Sequence, residues 1–215
     1  MIFLALEMII RDGFHNLTLG RLAEEAGYSK GTLYNHFTCR EDLLIELSTE
    51  SARRQLDSFR SIADLPWSCV WALYGLGFAY IRHAEVSPIL FECSITARTN
   101  AVCAVASNDR LRRRDLVESQ IAQVVGAVVE RTLAEDAYTN TRVPVPVAVD
   151  TLRSSLFGYA ATHLLYEGFL WVREQECEVQ LNVLASLVGG LGWPRLDTGD
   201  LATIHAMIVE RVTAT

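Results

Sequence analysis

The chain's most concentrated recognition chemistry lies in one short run: Ser29, Lys30, Gly31, Thr32, Tyr34, Asn35 and His36, with Arg40 just beyond it. No nucleophile–base pair or metal-ligand spacing occurs in this run. Its side chains offer hydrogen-bond donors and acceptors at consecutive positions. Lysine donates to guanine O6 and N7, asparagine pairs with adenine, and glycine lets a backbone come close, so the run suits the edge of a DNA major groove. The flanking residues provide a frame to present it. Thr18 is a good N-cap residue, and Leu19, Leu22, Ala23 and Ala26 give one apolar face at helical spacing. Gly27 is suited to the left-handed residue that ends a helix, Ser29 can cap the next one, and Leu33 and Phe37 point inward from it. The spacing predicts two short helices around a tight corner. Neither is long enough to be stable alone.

Leu17–Phe37 resembles the helix-turn-helix of the TetR family of bacterial transcriptional repressors. The resemblance is carried by Ala-Gly-Tyr-Ser-Lys-Gly-Thr-Leu-Tyr-Asn-His-Phe, followed by Arg40-Glu41-Asp42-Leu43-Leu44, and extends over roughly the first fifty residues. It implies that Thr18, Tyr34, His36 and Arg40 hold phosphates, and that Lys30, Gly31, Thr32 and Asn35, with Ser29 at the helix start, lie against the bases. Gly20 departs from members that read a base with a long polar side chain there. The resemblance also implies a two-fold homodimer that reads a palindromic double-stranded DNA operator. A small-molecule effector, apolar or aromatic, would then release a repressor from its site. No cofactor and no metal is implied. Related proteins carry a basic arm ahead of the first helix. This chain begins inside that helix, so the arm is expected to have been left off or the start codon to be placed late.

Composition agrees in part. The chain has 215 residues, half of them hydrophobic, with mean hydropathy +0.19, which is high for a monomer and points to a further buried surface such as a dimer interface or a ligand cavity. Net charge is -7, and residues 1–50 hold four basic and eight acidic side chains, a poor balance for phosphate neutralisation. Orientation must supply the answer, with Lys30, Arg40 and Arg21 facing DNA and Glu24, Glu25, Glu41 and Glu46 facing away. The only lysine is Lys30. Five scattered cysteines without a CxxC pair suggest a reducing cytoplasm. The apolar start contains Glu7 and does not read as a signal peptide. Leu156–Val172 contains His163 and Glu167, both costly in lipid, and so reads as a buried helix.

Along the chain, helical patterns cover 1–12, with Phe3, Leu6 and Ile10 on one side, and about 40–63, with Leu44, Leu47, Leu56, Phe59 and Ile62 inward. Phe14 is expected to plug the small core of Leu22, Leu33 and Phe37. Pro66 suits a first helical position before Trp67–Ala84, whose Gly75 and Gly77 allow close approach. Helices are expected over about 88–97, 108–137, 147–173, 178–191 and 198–212, with 99–107 a loop or short helix. The basic cluster Arg110, Arg112, Arg113 and Arg114 reads as a solvated helix face. No strand-like alternation, repeat or low-complexity tract occurs. The expected fold is all-α, a three-helix helix-turn-helix head over 1–47 joined to a larger helical body for ligand binding and dimerisation over 48–215.

An apolar pocket with few polar anchors is the usual form of a small-molecule site. Trp71, Tyr74, Phe78, Phe91, Tyr159 and His163 are the candidate walls, on an aromatic helix and on the stripe Leu152, Leu156, Tyr159, His163, Tyr166, Leu170. His163 and Glu167 are too few for a metal and suggest a hydrogen-bonded pair. Segments near 154–172 and 201–212 are the expected dimer surface, as a four-helix bundle. No HExxH, GxSxG, P-loop, Rossmann glycine pattern or repeated ExxH is present, which argues against an enzyme. The alternative is a dimeric ligand-binding or protein-interaction module with weak or lost DNA binding.

Overall fold

The computed structural model describes residues 1–164 and 177–213, and every regular element among them is helical. In order these are α1 (Ile2–Asp12), a 3-10 turn (Phe14–Asn16), α2 (Leu19–Glu25), α3 (Lys30–His36), α4 (Arg40–Ala63) and α5 (Cys69–Val86). Then follow α6 (Pro88–Thr96), α7 (Asn100–Cys103), α8 (Asn108–Ala134), α9 (Val145–Leu164), α10 (Cys177–Leu191) and α11 (Thr198–Arg211). The expected continuation of α9 to about Arg173 lies outside the described residues, as do Tyr166, Glu167 and Leu170, and with Glu167 the proposed pair to His163. No helix among the described residues is long and apolar enough to cross a membrane.

The chain divides into two compact units, Met1–Arg54 with Ser87–Gln120, and Gln55–Val86 with Ile121–Thr215. The expected boundary between residues 47 and 48 falls inside α4. The first unit is built on Leu17, Leu22, Leu33, Leu43, Leu44 and Leu47, joined by Leu90, Cys93 and Ala97 of α6 and its end, all buried. Phe14 packs against this cluster, partly buried.

One expected face is corrected here. On α1 the buried residues are Ala5, Met8 and Ile9, while Phe3 and Ile10 are each 71% exposed. The reason is that IFLALEMII is apolar almost all round, so periodicity does not choose a side. The small Ala5 turns inward and the one charge, Glu7, outward.

The second unit is organised around α5. Its Ala72, Leu73, Tyr74, Leu76, Phe78, Ala79 and Ile81 are buried among Leu152, Leu156, Leu181, Leu184, Leu201, Ile204 and Ile208. A Cβ on Gly77 would come within 2.8 Å of Leu184 Cδ1, so the bare backbone is what lets α10 approach. Pro66 does not start α5. Ser68 does, its Oγ accepting from Trp71 N at 3.2 Å. Leu201, Ile204, Ile208 and Val212 all point into this same core.

The loop before α9 is tied to the end of α10. Thr139 N donates to Gly192 O at 2.9 Å, and Asn140 Nδ2 donates to Leu191 O at 3.0 Å. Next to them the fully buried Trp193 donates to Thr132 Oγ1 at 2.9 Å. Gly192 has φ +121°, and a Cβ there would lie 2.3 Å from Asn140 Cβ. Both the backbone conformation and the space forbid a side chain. Gly192→Ala is therefore expected to lower stability by about 1–3 kcal/mol. A urea titration should show a lower midpoint with an unchanged slope.

Candidate nucleic-acid interface

The corner around α3 is fixed by local hydrogen bonds. Thr18 Oγ1 accepts from Arg21 N at 3.3 Å and caps α2. At its other end Gly27 has φ +70°, its N–H donates to Glu24 O, and Tyr28 N–H reaches back to Ala23 O at 2.9 Å. That pair of bonds satisfies the last free carbonyls of α2 and turns the chain sharply. Ser29 then caps α3, accepting from Thr32 N at 3.0 Å. Leu33 and Phe37 are buried and hold the seven-residue helix down by one side. Lys30, Gly31, Thr32, Tyr34, Asn35 and His36, with Ser29, are left exposed along the other side, Tyr34 at 53%.

The charges sort themselves within the head. Asp12 Oδ2 receives Arg11 at 2.8 Å and Arg21 at 2.5 Å, and Glu25 Oε1 receives Arg11 at 2.6 Å. Hydrogen bonding from Arg11 and Arg21 outweighs the effect of burial and holds the Asp12 carboxyl down at about 2. Arg40 is turned inward. Its Nη2 donates to Phe14 O at 2.8 Å and its guanidinium lies 5.0 Å from the Phe14 ring centre. Arg11, Arg21 and Arg40 are thus committed to protein partners, which leaves Lys30 as the uncommitted cation of residues 1–50. Gly20 helps to present it. A Cβ at Gly20 would lie 3.8 Å from Lys30 Cε, so the long side chain absent there makes room for the lysine.

A second set of residues at the exit of α3 was invisible as a site in the sequence. Asp42, fully buried, accepts from Thr38 N at 3.0 Å and from Ser107 N at 2.7 Å. Burial alone would push its carboxyl up, but the bonds from Ser107 and Thr38 outweigh it and hold the group below the usual range. Arg110, on the first turn of α8, donates to His36 O, reaches Glu46 Oε2 at 2.5 Å and lies 4.4 Å from the centre of the Phe37 ring. Arg114 donates to Ala97 O at 3.2 Å, just past the end of α6. The reading of this arginine cluster as a solvated face therefore holds for half of it. Arg112 is 72% exposed, whereas Arg110 and Arg114 are each 12% exposed.

The aromatic candidates divide. Trp71, Tyr74, Phe78, Tyr159 and His163 belong to the second unit, and Phe91 to the first. Tyr74 is fully buried and donates to Pro194 O at 3.2 Å, and Phe78 meets His205 edge to face at 5.3 Å. Trp71 meets Trp67 at 5.8 Å. The Tyr159 and His163 rings lie 4.1 Å apart, and the Tyr159 hydroxyl is buried with no hydrogen-bond partner among the described residues. Burial, with the nearby Glu85 charge, pushes that phenol up to about 12, so it stays a donor. A groove among the described residues is formed on α10 instead, by Glu178, Val179, Asn182, Val183, Ser186 and Leu187. Among the described residues no group of three or more His, Cys, Asp or Glu could hold a metal ion.

Residues 3–47 match the model of bacterial regulatory proteins of the tetR family. The head thus carries the DNA-binding domain pattern of the tetR family of bacterial regulatory proteins. An HTH-type transcriptional regulator of Staphylococcus aureus (strain bovine RF122 / ET3-1) is 23% identical over 164 residues, covering 74% of this chain and 80% of that protein. The fold is similar to that of the TetR family transcriptional regulator PfmR from Thermus thermophilus, with TM-score 0.63 and 17% identity over 87% of this chain and 96% of that one. It is also similar to the fatty acid degradation regulator FadR from Bacillus halodurans, with TM-score 0.65 and 18% identity over 90% and 95% of the two chains.

The buried carboxylate of this TetR-family head yields a prediction. Asp42→Ala leaves two backbone N–H groups without their acceptor and should cost about 2–4 kcal/mol at about pH 7. Because the folded carboxyl is held low, its contribution is complete above an unfolded value of about 4 and is lost as pH falls through the folded one. Urea titrations at falling pH should therefore show the gap between wild type and Asp42→Ala closing only in that acid range.

Proposed function

We propose that this chain is a TetR-type repressor that binds a palindromic operator as a homodimer and leaves it when a small apolar or aromatic effector binds. The observation that carries the reading is the uncovered row on α3. Helix ends are capped, Leu33 and Phe37 are buried, and what remains outside is Lys30, Gly31, Thr32, Tyr34, Asn35 and His36. Lys30, Gly31, Thr32 and Asn35 would meet base edges, Ser29 would start the helix close to the backbone, and Thr18, Tyr34 and His36 would meet phosphates. Arg40 joins them only by leaving the Phe14 carbonyl. Residues 1–47 would serve as the DNA-binding domain and 48–215 as the regulatory and dimerisation domain, in the cytoplasm.

One head offers few phosphate contacts, so useful affinity requires two copies about one helical turn of DNA apart. The exposed sides of α9, α10 and α11 would form the dimer surface. Val147, Phe157 and Val179 are 52%, 39% and 47% exposed there, and Val179 lines the α10 groove. The effector would lie among Trp71, Tyr74, Phe78, Tyr159 and His163, with the Tyr159 hydroxyl as donor, and Phe91 as a more distant candidate in the chain. By preferring a body conformation with a different head separation, it would weaken operator binding by a coupling energy of about 1–3 kcal/mol.

Fluorescence anisotropy on the operator tests this. Affinity should fall with rising salt, and Lys30→Ala should weaken operator binding by about 1–3 kcal/mol and relax the preference at the base it meets. A second reading, a dimeric ligand-binding or interaction module, is favoured by the pairing of Arg11 and Arg21 with Asp12 and Glu25. It would be adopted if no operator binding were found even at low salt.

A further inference from the structure

We infer that Arg110 is a positioning residue for the recognition helix: from the first turn of α8 it caps the C-terminus of α3 and sets how that helix is presented. The inference rests on the DNA-binding reading for its consequence, though not for its geometry. A helix of seven residues leaves its last carbonyls without intrahelical partners, and α3 has no local device for them. Phe37 follows in an extended conformation, with no glycine to close a left-handed cap. The His36 carbonyl is met from 74 residues away, by Arg110 Nη2.

The same guanidinium makes three further contacts with the exit of α3. Its other nitrogen reaches Glu46 Oε2 on α4 at 2.5 Å, its Nε lies 3.9 Å from Asp42 Oδ2, and its plane covers the Phe37 ring. Asp42 closes the arrangement by accepting from Thr38 N and Ser107 N, which join the α3–α4 turn to the residue before α8. A planar fork suits this set of acceptors, and a lysine ammonium cannot reproduce it. Arg114, one helical turn on, does the same for α6 through Ala97 O. A cation at a helix C-terminus also complements the partial negative charge there. The start of α8 is thus docked by arginines on two helix ends. A small axial shift or rotation of α8 would be felt at His36 directly.

The test uses full-length wild type, Arg110→Ala, Arg110→Lys and Lys30→Ala. Hydrogen exchange of the free protein is expected to quicken about tenfold over residues 33–38 in both Arg110 variants, with α1 and α2 unchanged. Operator binding is expected to weaken about tenfold in both, with the salt slope kept and the preference for one half-site spacing relaxed. Lys30→Ala, in contrast, should relax base preference and leave exchange over residues 33–38 unchanged. Unchanged exchange over 33–38 would overturn the inference whether or not the protein binds DNA. So would exchange that rises uniformly across the first unit, which would make Arg110 a general brace. A salt slope reduced by about 0.9 would make it a phosphate contact instead. If wild type fails to bind any operator, the DNA-binding reading falls, while the exchange data still decide whether the latch exists.

Discussion

A seven-residue helix has almost no stability of its own, because nucleation costs more than its few internal hydrogen bonds return. Everything around α3 can be understood as an answer to that constraint. Leu33 and Phe37 sink one side into a core shared with Leu17, Leu22 and Leu44. Ser29 satisfies the first amides locally, while the last carbonyl is satisfied remotely by Arg110. The side that faces solvent is thereby relieved of any structural duty. Lys30, Gly31 and Asn35 can be chosen for recognition because none of them is needed to hold the helix.

Charge imposes a second constraint, and the head resolves it by internal pairing. Eight acidic groups against four basic ones would repel a phosphate backbone if all were free. Asp12 and Glu25 are partnered by Arg11 and Arg21, and Glu46 by Arg53 and Arg110. Such pairs add little stability at an exposed surface. Their effect is to bring carboxylates and guanidiniums into dipolar couples whose field falls off quickly, which lessens the repulsion these acids would exert. The cost is that few cations of residues 1–50 are left unpaired, so on the proposed reading tight binding would need a second head.

How much of this was legible in the sequence depended on the range of the interaction. Thr18, Gly27 and Ser29 act on backbone groups within three or four residues, so their roles could be read from spacing alone. The 24-residue span of α4 was likewise readable, since its apolar positions keep helical period and its ends are marked by charge and by Pro66 beyond. The α1 face was not readable, because a stretch apolar on every side has no preferred direction until neighbours are known. Nor was the division of the arginine cluster. Arg110 and Arg114 are one turn apart and point inward, Arg112 and Arg113 point out, and the acceptors that make the difference, His36 O and Ala97 O, are backbone atoms far away in sequence. The α11 stripe was legible as apolar, but not the α5 core it packs into, since periodicity tells that a face is buried and never against what.

The body raises the harder question of which aromatic groups are core and which are a site, and satisfaction of polar atoms is the best discriminator. Tyr74 is buried with its hydroxyl bonded to Pro194 O, and Trp193 with its indole bonded to Thr132, so both are complete as core residues. Tyr159 is different. Its ring packs on His163, its hydroxyl is sequestered without an acceptor among the described residues, and its proton is held firmly. A buried donor left without a partner costs about 1–3 kcal/mol, a penalty that an acceptor arriving with a ligand would remove. A carbonyl or hydroxyl on an otherwise apolar molecule has the chemistry to do so. On the proposed reading, Tyr159 would meet the polar end of an effector, and Trp71 and Phe78, which carry no such deficit, would contact its apolar part.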